Sequence, residues 1–449
     1  MKKYELNMSS GSILKNIALF SVPLVLSSIL QLLYNAADII IVGKFDGDNA
    51  LAAVGSTSSV IHLLINVFMG YATGSGVVIS RYFGGGNAAG TKRAVSTCVS
   101  MSAIFGTVLM AVGIIASKSL LKLMACPEDV LGGASLYMRI YFAGMPAFML
   151  YNFGSGILRA VGDTKRPLRY LTVSGIVNVL LNLFFVIKLH MGVAGVAAAT
   201  VIAQCISACC VIRCLVKTKE CYRLDIKNLR LHKHEFAMMT KIGLPAGIQG
   251  SLFSFSNVIV QSSINTFGST VMAGNTAGSN VENFVYAMLS SVSQAALTFT
   301  GQNFGAGKFK RIKQGMWTCL AIELFVIFSV SSVVVLGAHQ ILRIYSDDPA
   351  VIDVGARRLS VICFTYFICG FNEVLVAVLR GLGSSVLPMV TSIFGICGLR
   401  ILFIMTVFRR IGSLESLYFT YPLSWGITAA VHGILIAVLW KSLISHRTL

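Results

Sequence analysis

Four carboxylates, Asp38, Glu282, Glu323 and Glu373, lie inside long apolar stretches of this 449-residue sequence. An ionised carboxylate at mid-membrane costs on the order of 2.5–3.5 kcal/mol even on the lenient insertion scale. Acids in such places hold a proton, a cation or a cationic substrate, or they pair with a polar neighbour. Asp38 sits in Tyr34-Asn35-Ala36-Ala37-Asp38-Ile39-Ile40 and shares one helical face with Gln31 and Tyr34. A polar stripe on an apolar helix must face protein or water. The expected role of Asp38 is to bind a proton or cation; the plainer alternative is a structural, hydrogen-bonded aspartate.

Asn178 and Asn182 stand one turn apart on a later stretch, and Thr200 closes Ala197-Ala198-Ala199-Thr200, where small side chains allow close helix approach. Their carbonyl and hydroxyl oxygens suit an oxygen cage for a small cation, and equally suit amide bridges between helices. Glu373 precedes Arg380 by seven residues, two helical turns, and Glu282 lies in Ser279-Asn280-Val281-Glu282-Asn283-Phe284. Either one binds a cationic substrate, titrates, or holds helices together. Glu323 stands in a plain apolar stretch, and His62 and His432 are candidate proton relays against the reading of satisfied bundle histidines.

Other chemistry is weakly signalled. Gly84-Gly85-Gly86-Asn87-Ala88-Ala89 loosely fits a dinucleotide fingerprint but follows an apolar helix and reads as a turn. The sequence has no G-x-x-x-x-G-K-[ST], so no site for driving work by ATP is signalled, and any such work would have to draw on an ion gradient. The eleven cysteines are scattered without a C-x-x-C pair, which argues for buried thiols and against a zinc or disulfide framework. No nucleophile–base constellation is visible, so neither an enzyme nor a cofactor is expected.

The elements that must carry these residues follow from composition. Hydrophobic residues make up 55% and charged residues 12%, with a mean hydropathy of +0.79, too few polar side chains to coat a soluble core. Apolar stretches fall at 13–42, 49–80, 94–116, 131–158, 168–189 and 193–216, then at 242–267, 271–303, 314–342, 354–379, 386–408 and 414–440. Each is long enough to cross a bilayer, which takes about 20 residues. The expected fold is an all-α membrane protein of twelve spans, with residues 1–216 as one lobe, 217–241 as a linker and 242–449 as a second lobe.

The formal charge of +19 would suggest nucleic acid in a soluble protein; here it reports orientation. Connections after even-numbered spans, with both tails, hold 25 of the 36 basic residues, whereas only Arg139 and Arg400 lie well within spans. That bias places both termini and the linker in the cytoplasm, with no nucleic-acid partner. The halves also repeat. Leu158-Arg159-Ala160-Val161-Gly162 with Pro167 matches Leu379-Arg380-Gly381-Leu382-Gly383 with Pro388 at an offset of 221, and Pro23 matches Pro245 at 222. Six spans per half put the pseudo-twofold axis along the membrane normal, an arrangement used by transporters.

Pro23 and Asp38 followed by Ala52-Ala53-Val54-Gly55, Gly192-Val193-Ala194-Gly195-Val196-Ala197, the paired Leu-Arg-x-x-Gly motifs and Gly301-Gln302-Asn303-Phe304-Gly305-Ala306-Gly307 are together similar to the MATE family of multidrug and toxin extrusion antiporters. The resemblance covers about residues 13–440. It implies two six-helix lobes around a V-shaped cleft and export of amphipathic, cationic organic compounds in exchange for H+ or Na+, by a monomer in a bacterial cell membrane. It also carries the family's cation site onto Asp38, Asn178, Asn182 and Thr200. Asn182 departs from the pattern, since well-known members carry Asp there. In the second lobe the family's acidic positions fall on Phe253 and near Cys369, with Glu373 one turn further as the substitute. The rival expectation is a flippase for lipid-linked or polysaccharide precursors, which favours a cavity lined by several arginines.

Overall fold

The computed structural model describes residues 5–46, 48–124 and 126–445. The first and last four residues, parts of the tails expected in the cytoplasm, lie outside the described residues, and so does the side chain of Ala52. Among the described residues the chain is helical with no strand: α1 (Ile13–Phe45), α2 (Asp48–Gly84), α3 (Ala88–Leu123), α4 (Glu128–Ala143), α5 (Met145–Ala160), α6 (Lys165–Leu183), α7 (Gly192–Lys217), α8 (Lys233–Asn265), α9 (Ser269–Gly305), α10 (Phe309–Leu336), α11 (Ala338–Leu342) and α12 (Pro349–Gly381). A helix over Val386–Ile411 and a last one, Leu414–Ser445, complete it.

Among the described residues, nine helices are long and apolar enough to cross a membrane. The other three expected spans are α8, α9 and the pair α4–α5. Span 4 is split because Gly144 ends α4 and Pro146 sits in the first turn of α5, where its missing N–H does no harm. α8 begins nine residues before the expected start of span 7, and α12 five before that of span 10. Helices of 33 residues reach about 50 Å, well beyond a hydrocarbon core of about 30 Å.

By contact the chain divides into two compact units. One holds residues 22–247 with 5–8 and 305–307; the other holds 9–21, 248–304 and 308–445. In the first unit α3 packs against α2, α4 and α5, and α7 packs against α4, α5 and α6. α2 and the start of α8 approach closely: a Cβ on Gly70 would lie 2.2 Å from the Gly247 nitrogen, and one on Gly74 2.5 Å from the Met239 carbonyl oxygen. Small residues at four-residue spacing bring these backbones together, as in membrane helix pairs generally. In the second unit α12 is central, packed by α10 and by the last helix around Leu289, Ile327, Leu359, Cys363 and Tyr418.

The repeat is visible in the backbone. Gly162 and Gly383 end their helices at φ +91° and +84°, and Gly86 and Gly307 turn at +69° and +70°, conformations that exclude most side chains. The Gly84–Ala89 segment is such a turn; Asn87 caps α3 by accepting from the Gly90 N–H at 2.8 Å. π-Helical stretches follow α6 (Phe184–Lys188) and interrupt Val386–Ile411 at Ile393–Gly398 and Ile404–Phe408.

Candidate functional site

Three helices of the first unit bring their polar residues to one point. α1 contributes Asp38, α6 contributes Asn178 and Asn182 from one face, and α7 contributes Thr200. Asn182 Nδ2 donates a short hydrogen bond to Asp38 Oδ1 and lies 3.3 Å from Asn178 Oδ1. The Thr200 hydroxyl lies 3.3 Å from Asp38 Oδ2 and 3.0 Å from the Val196 carbonyl, and it accepts from Asn178 Nδ2 at 3.3 Å. Asp38 is 9% exposed, Asn178 5% and Asn182 fully buried. Two features stand out chemically. Asp38 has no ion pair among the described residues, and the buried Asn182 Oδ1 has no hydrogen-bond donor. One carboxylate, two amide carbonyls and a hydroxyl form a set of hard oxygen donors of the kind that bind small cations.

Tyr34, one turn before Asp38, lays its ring over Gly175 and donates to the Thr172 carbonyl at 3.4 Å, so it ties α1 to α6. Gln31 is exposed and stands outside this network, as does the exposed His62. Sequence reasoning missed Tyr137 and Tyr141 of α4, whose rings stack at 6.0 Å within electrostatic reach of Asp38. Their four-residue spacing was the available signal, hidden among many aromatic residues. Arg139 turns elsewhere, donating to Ser117 Oγ at 3.2 Å.

The carboxylates of the second unit are placed differently. Glu282 on α9 is gripped by Arg358 on α12 through two bonds of 2.7 Å, and Arg358 also reaches Asn275 Oδ1 at 2.5 Å. Both partners are 5% exposed, and the guanidinium lies 5.7 Å from the ring centres of Tyr418 and Tyr421. Arg358 therefore joins Arg139 and Arg400 as a third arginine inside a span, which corrects the count from sequence. Glu373 is half-buried and interacts electrostatically with Arg380, which donates to Gln249 at 2.7 Å. Glu323 is fully buried against Gly370, and neither of its oxygens has a hydrogen-bond partner. His432 is fully buried with its ring Nδ1 2.7 Å from Asn372 Oδ1. Phe253 and Cys369 supply no charge to this unit.

Arg400, also of the second unit, is 5% exposed and bonded to Asn257 Oδ1 at 3.1 Å and Ser424 Oγ at 3.2 Å. Its guanidinium covers the Tyr421 ring at 4.2 Å, and it makes no ion pair among the described residues.

Comparison with known proteins agrees with the repeat. A family model described as MatE matches residues 23–184 and again 245–406. The probable multidrug resistance protein YoeA of Bacillus subtilis is 29% identical over 433 residues, covering 94% of this chain and 92% of that protein. A solved MOP superfamily transporter from Pyrococcus furiosus superposes with a TM-score of 0.91 at 21% identity, covering 98% of each chain. An outward-facing multidrug resistance MATE family transporter gives 0.90 at 21%, covering 97% of this chain and 99% of that one. At these identities the solved structures speak to the fold.

Proposed function

This chain belongs to the MATE family of multidrug efflux transporters, and from that premise we propose that it is a cation-coupled antiporter of a bacterial plasma membrane, with both termini cytoplasmic. Its cargo is an amphipathic, cationic organic compound, exchanged for H+ or Na+. The observation that carries this reading is the Asp38 network: a buried carboxylate bonded only to neutral side chains, beside an amide oxygen that lacks a donor. Such a carboxylate is stabilised by taking a proton or a cation from outside the protein. A proton on Asp38 would allow it to donate to Asn182 Oδ1 once that amide turns, and Na+ would take the same oxygen as a ligand. In either case the ion changes what α1 can offer to α6 and α7. Ion and cargo must then favour opposite lobe arrangements, since only differential affinity shifts a conformational equilibrium.

A second reading, export of lipid-linked or polysaccharide precursors, is favoured by Arg400, a buried guanidinium without a carboxylate partner among the described residues. Proteoliposomes separate the two. Ethidium efflux driven by an imposed Na+ or pH gradient, each applied alone, supports the antiporter and assigns its ion. Absence of ethidium movement under both gradients, with transbilayer movement of a labelled lipid-linked sugar, would replace it.

A further inference from the structure

The linker between the halves closes a basic cavity against the first turns of α3, and ion-coupled transport makes no use of it. Ser96 Oγ donates to the Arg230 carbonyl at 3.0 Å and accepts from the Arg230 N–H at 2.8 Å, while Thr97 Oγ1 accepts from the His232 N–H at 3.1 Å. Arg93 pairs with the buried Glu235 at 2.7 Å. These contacts hold the linker to α3 and leave a cavity of about 390 Å³ beside them, lined by Lys92, Arg93, Arg223, Arg230 and His232 together with Asp225.

The charges in this cavity do not balance. Glu235 answers Arg93. Asp225 is engaged by the Asn228 amide at 2.9 Å and the Lys227 N–H at 3.2 Å. Its carboxyl is held below the usual aspartate range, first by that amide, then by the Lys227 N–H, Lys92 and Arg223. Among the described residues Lys92, Arg223 and Arg230 make no ion pair. Cations gathered on one concave wall repel each other and concentrate anions from solution. Arginine forks match the oxygens of phosphate two at a time, and the volume is at the small end of ligand cavities.

We propose that this cavity binds a phosphate-bearing anion, either the phosphodiester head of an acidic lipid or a soluble phosphate ester, which bridges α3 and the linker. The basic-residue bias places this face on the cytoplasmic side, where both sources are available. Bound there, the anion replaces repulsion between Lys92, Arg223 and Arg230 with attraction, and it fastens the linker more firmly to α3.

The test uses the full-length chain in neutral detergent. Its melting is followed during titration with sodium pyrophosphate, against sodium chloride of equal ionic strength, and with phosphatidylglycerol, against phosphatidylcholine. At least one phosphate probe should raise the melting temperature saturably. Arg223→Gln combined with Arg230→Gln, both exposed side chains, should raise the half-saturating concentration at least tenfold, and Lys92→Gln, on the other wall, should raise it as well. A response to phosphatidylglycerol alone assigns a lipid, one to pyrophosphate alone a soluble ester, and one to both a site open to either. The proposal fails if neither probe exceeds its control, or if the double variant and Lys92→Gln respond like the parent.

Discussion

Asp38→Asn exchanges one carboxylate oxygen for an NH2 and removes the only formal charge of the network. The amide oxygen still accepts from Asn182, and the Thr200 hydroxyl, whose single proton can go to the nearer Val196 carbonyl, can accept from the new NH2, so what is lost is the charge on these bonds. A hydrogen bond to a charged group contributes roughly 1.5–3 kcal/mol. Against this, the carboxylate's own desolvation, about 2.5–3.5 kcal/mol at a helix centre, disappears. The two terms nearly cancel, so folding stability should change by no more than about 1 kcal/mol. Ion binding should not be spared. Unit charges about 4 Å apart at an effective dielectric of about 20 attract by about 4 kcal/mol, so losing the carboxylate weakens cation binding roughly a thousandfold. The assay is ethidium efflux from proteoliposomes under separate Na+ and pH gradients, with abundance and melting temperature measured on the same preparations. Gradient-driven export should fall to the passive rate while melting stays near the parent value. Parent-level export by an abundant, normally melting Asp38→Asn protein would refute the assignment.

Glu282→Gln should be strongly destabilising, because it leaves Arg358 buried without a counter-charge, a change of about 3–5 kcal/mol. Adding Arg358→Met should recover much of that loss, and thermal melting in detergent compares the three; equal melting of the single variant and parent would contradict the pair's role. Gly70→Val puts side-chain atoms into the backbone of α8. Little folded protein should be recovered by size-exclusion chromatography, and a normal yield would show that α2 and α8 can separate. Asp163, in the turn between α5 and α6, is fully buried, and burial pushes its carboxyl up to about 6 despite the Arg166 N–H and guanidinium. The native state therefore binds a proton more tightly than the unfolded chain, whose aspartates titrate at about 3.9. This contribution to stability is complete below that value and is lost as pH rises through about 6. Melting measured from acid to neutral pH should show this slope in the parent and a flatter one in Asp163→Asn; identical profiles would exclude it.

The twelve-span fold was legible because apolar runs of bilayer length are a strong local signal, and the repeat because its glycines sit where left-handed backbone is required. Asp38, Asn178, Asn182 and Thr200 could be picked out as polar positions on apolar helices, although their meeting depends on how α1, α6 and α7 pack. Arg358 was misread for a related reason. It lies nine residues, about 14 Å, inside α12, but hydropathy placed the start of that span at 354, so the arginine, only four residues in, was counted as a span end with the adjoining connection. Its partner Glu282 is 76 residues away in sequence, so no local pattern could have joined them. α8 was cut short because its first turns are polar and pack on protein at Gly243 and Gly247.

The repeat also bears on why coupling is assigned to the first unit. The two family matches close at 184 and 406, an offset of 222, whereas Pro167 and Pro388 keep 221. The π-helical stretch Ile393–Gly398 lies between these landmarks and takes up the extra residue. Beyond it, Arg400 stands in register with Asn178, and at the same offset Val260 stands in register with Asp38. Where the first unit presents an amide and a lone carboxylate, the second presents a guanidinium and an apolar side chain. A cation entering the second position would meet Arg400, a like charge with no carboxylate between them. Glu282 and Glu373 do not offset this, because Arg358 grips the first and Arg380 stands beside the second. At the positions in register with Asp38 and Asn178, then, the second unit has the opposite polarity, and the cation site we propose is the one around Asp38; Glu323, buried with no hydrogen-bond partner among the described residues, lies outside that register.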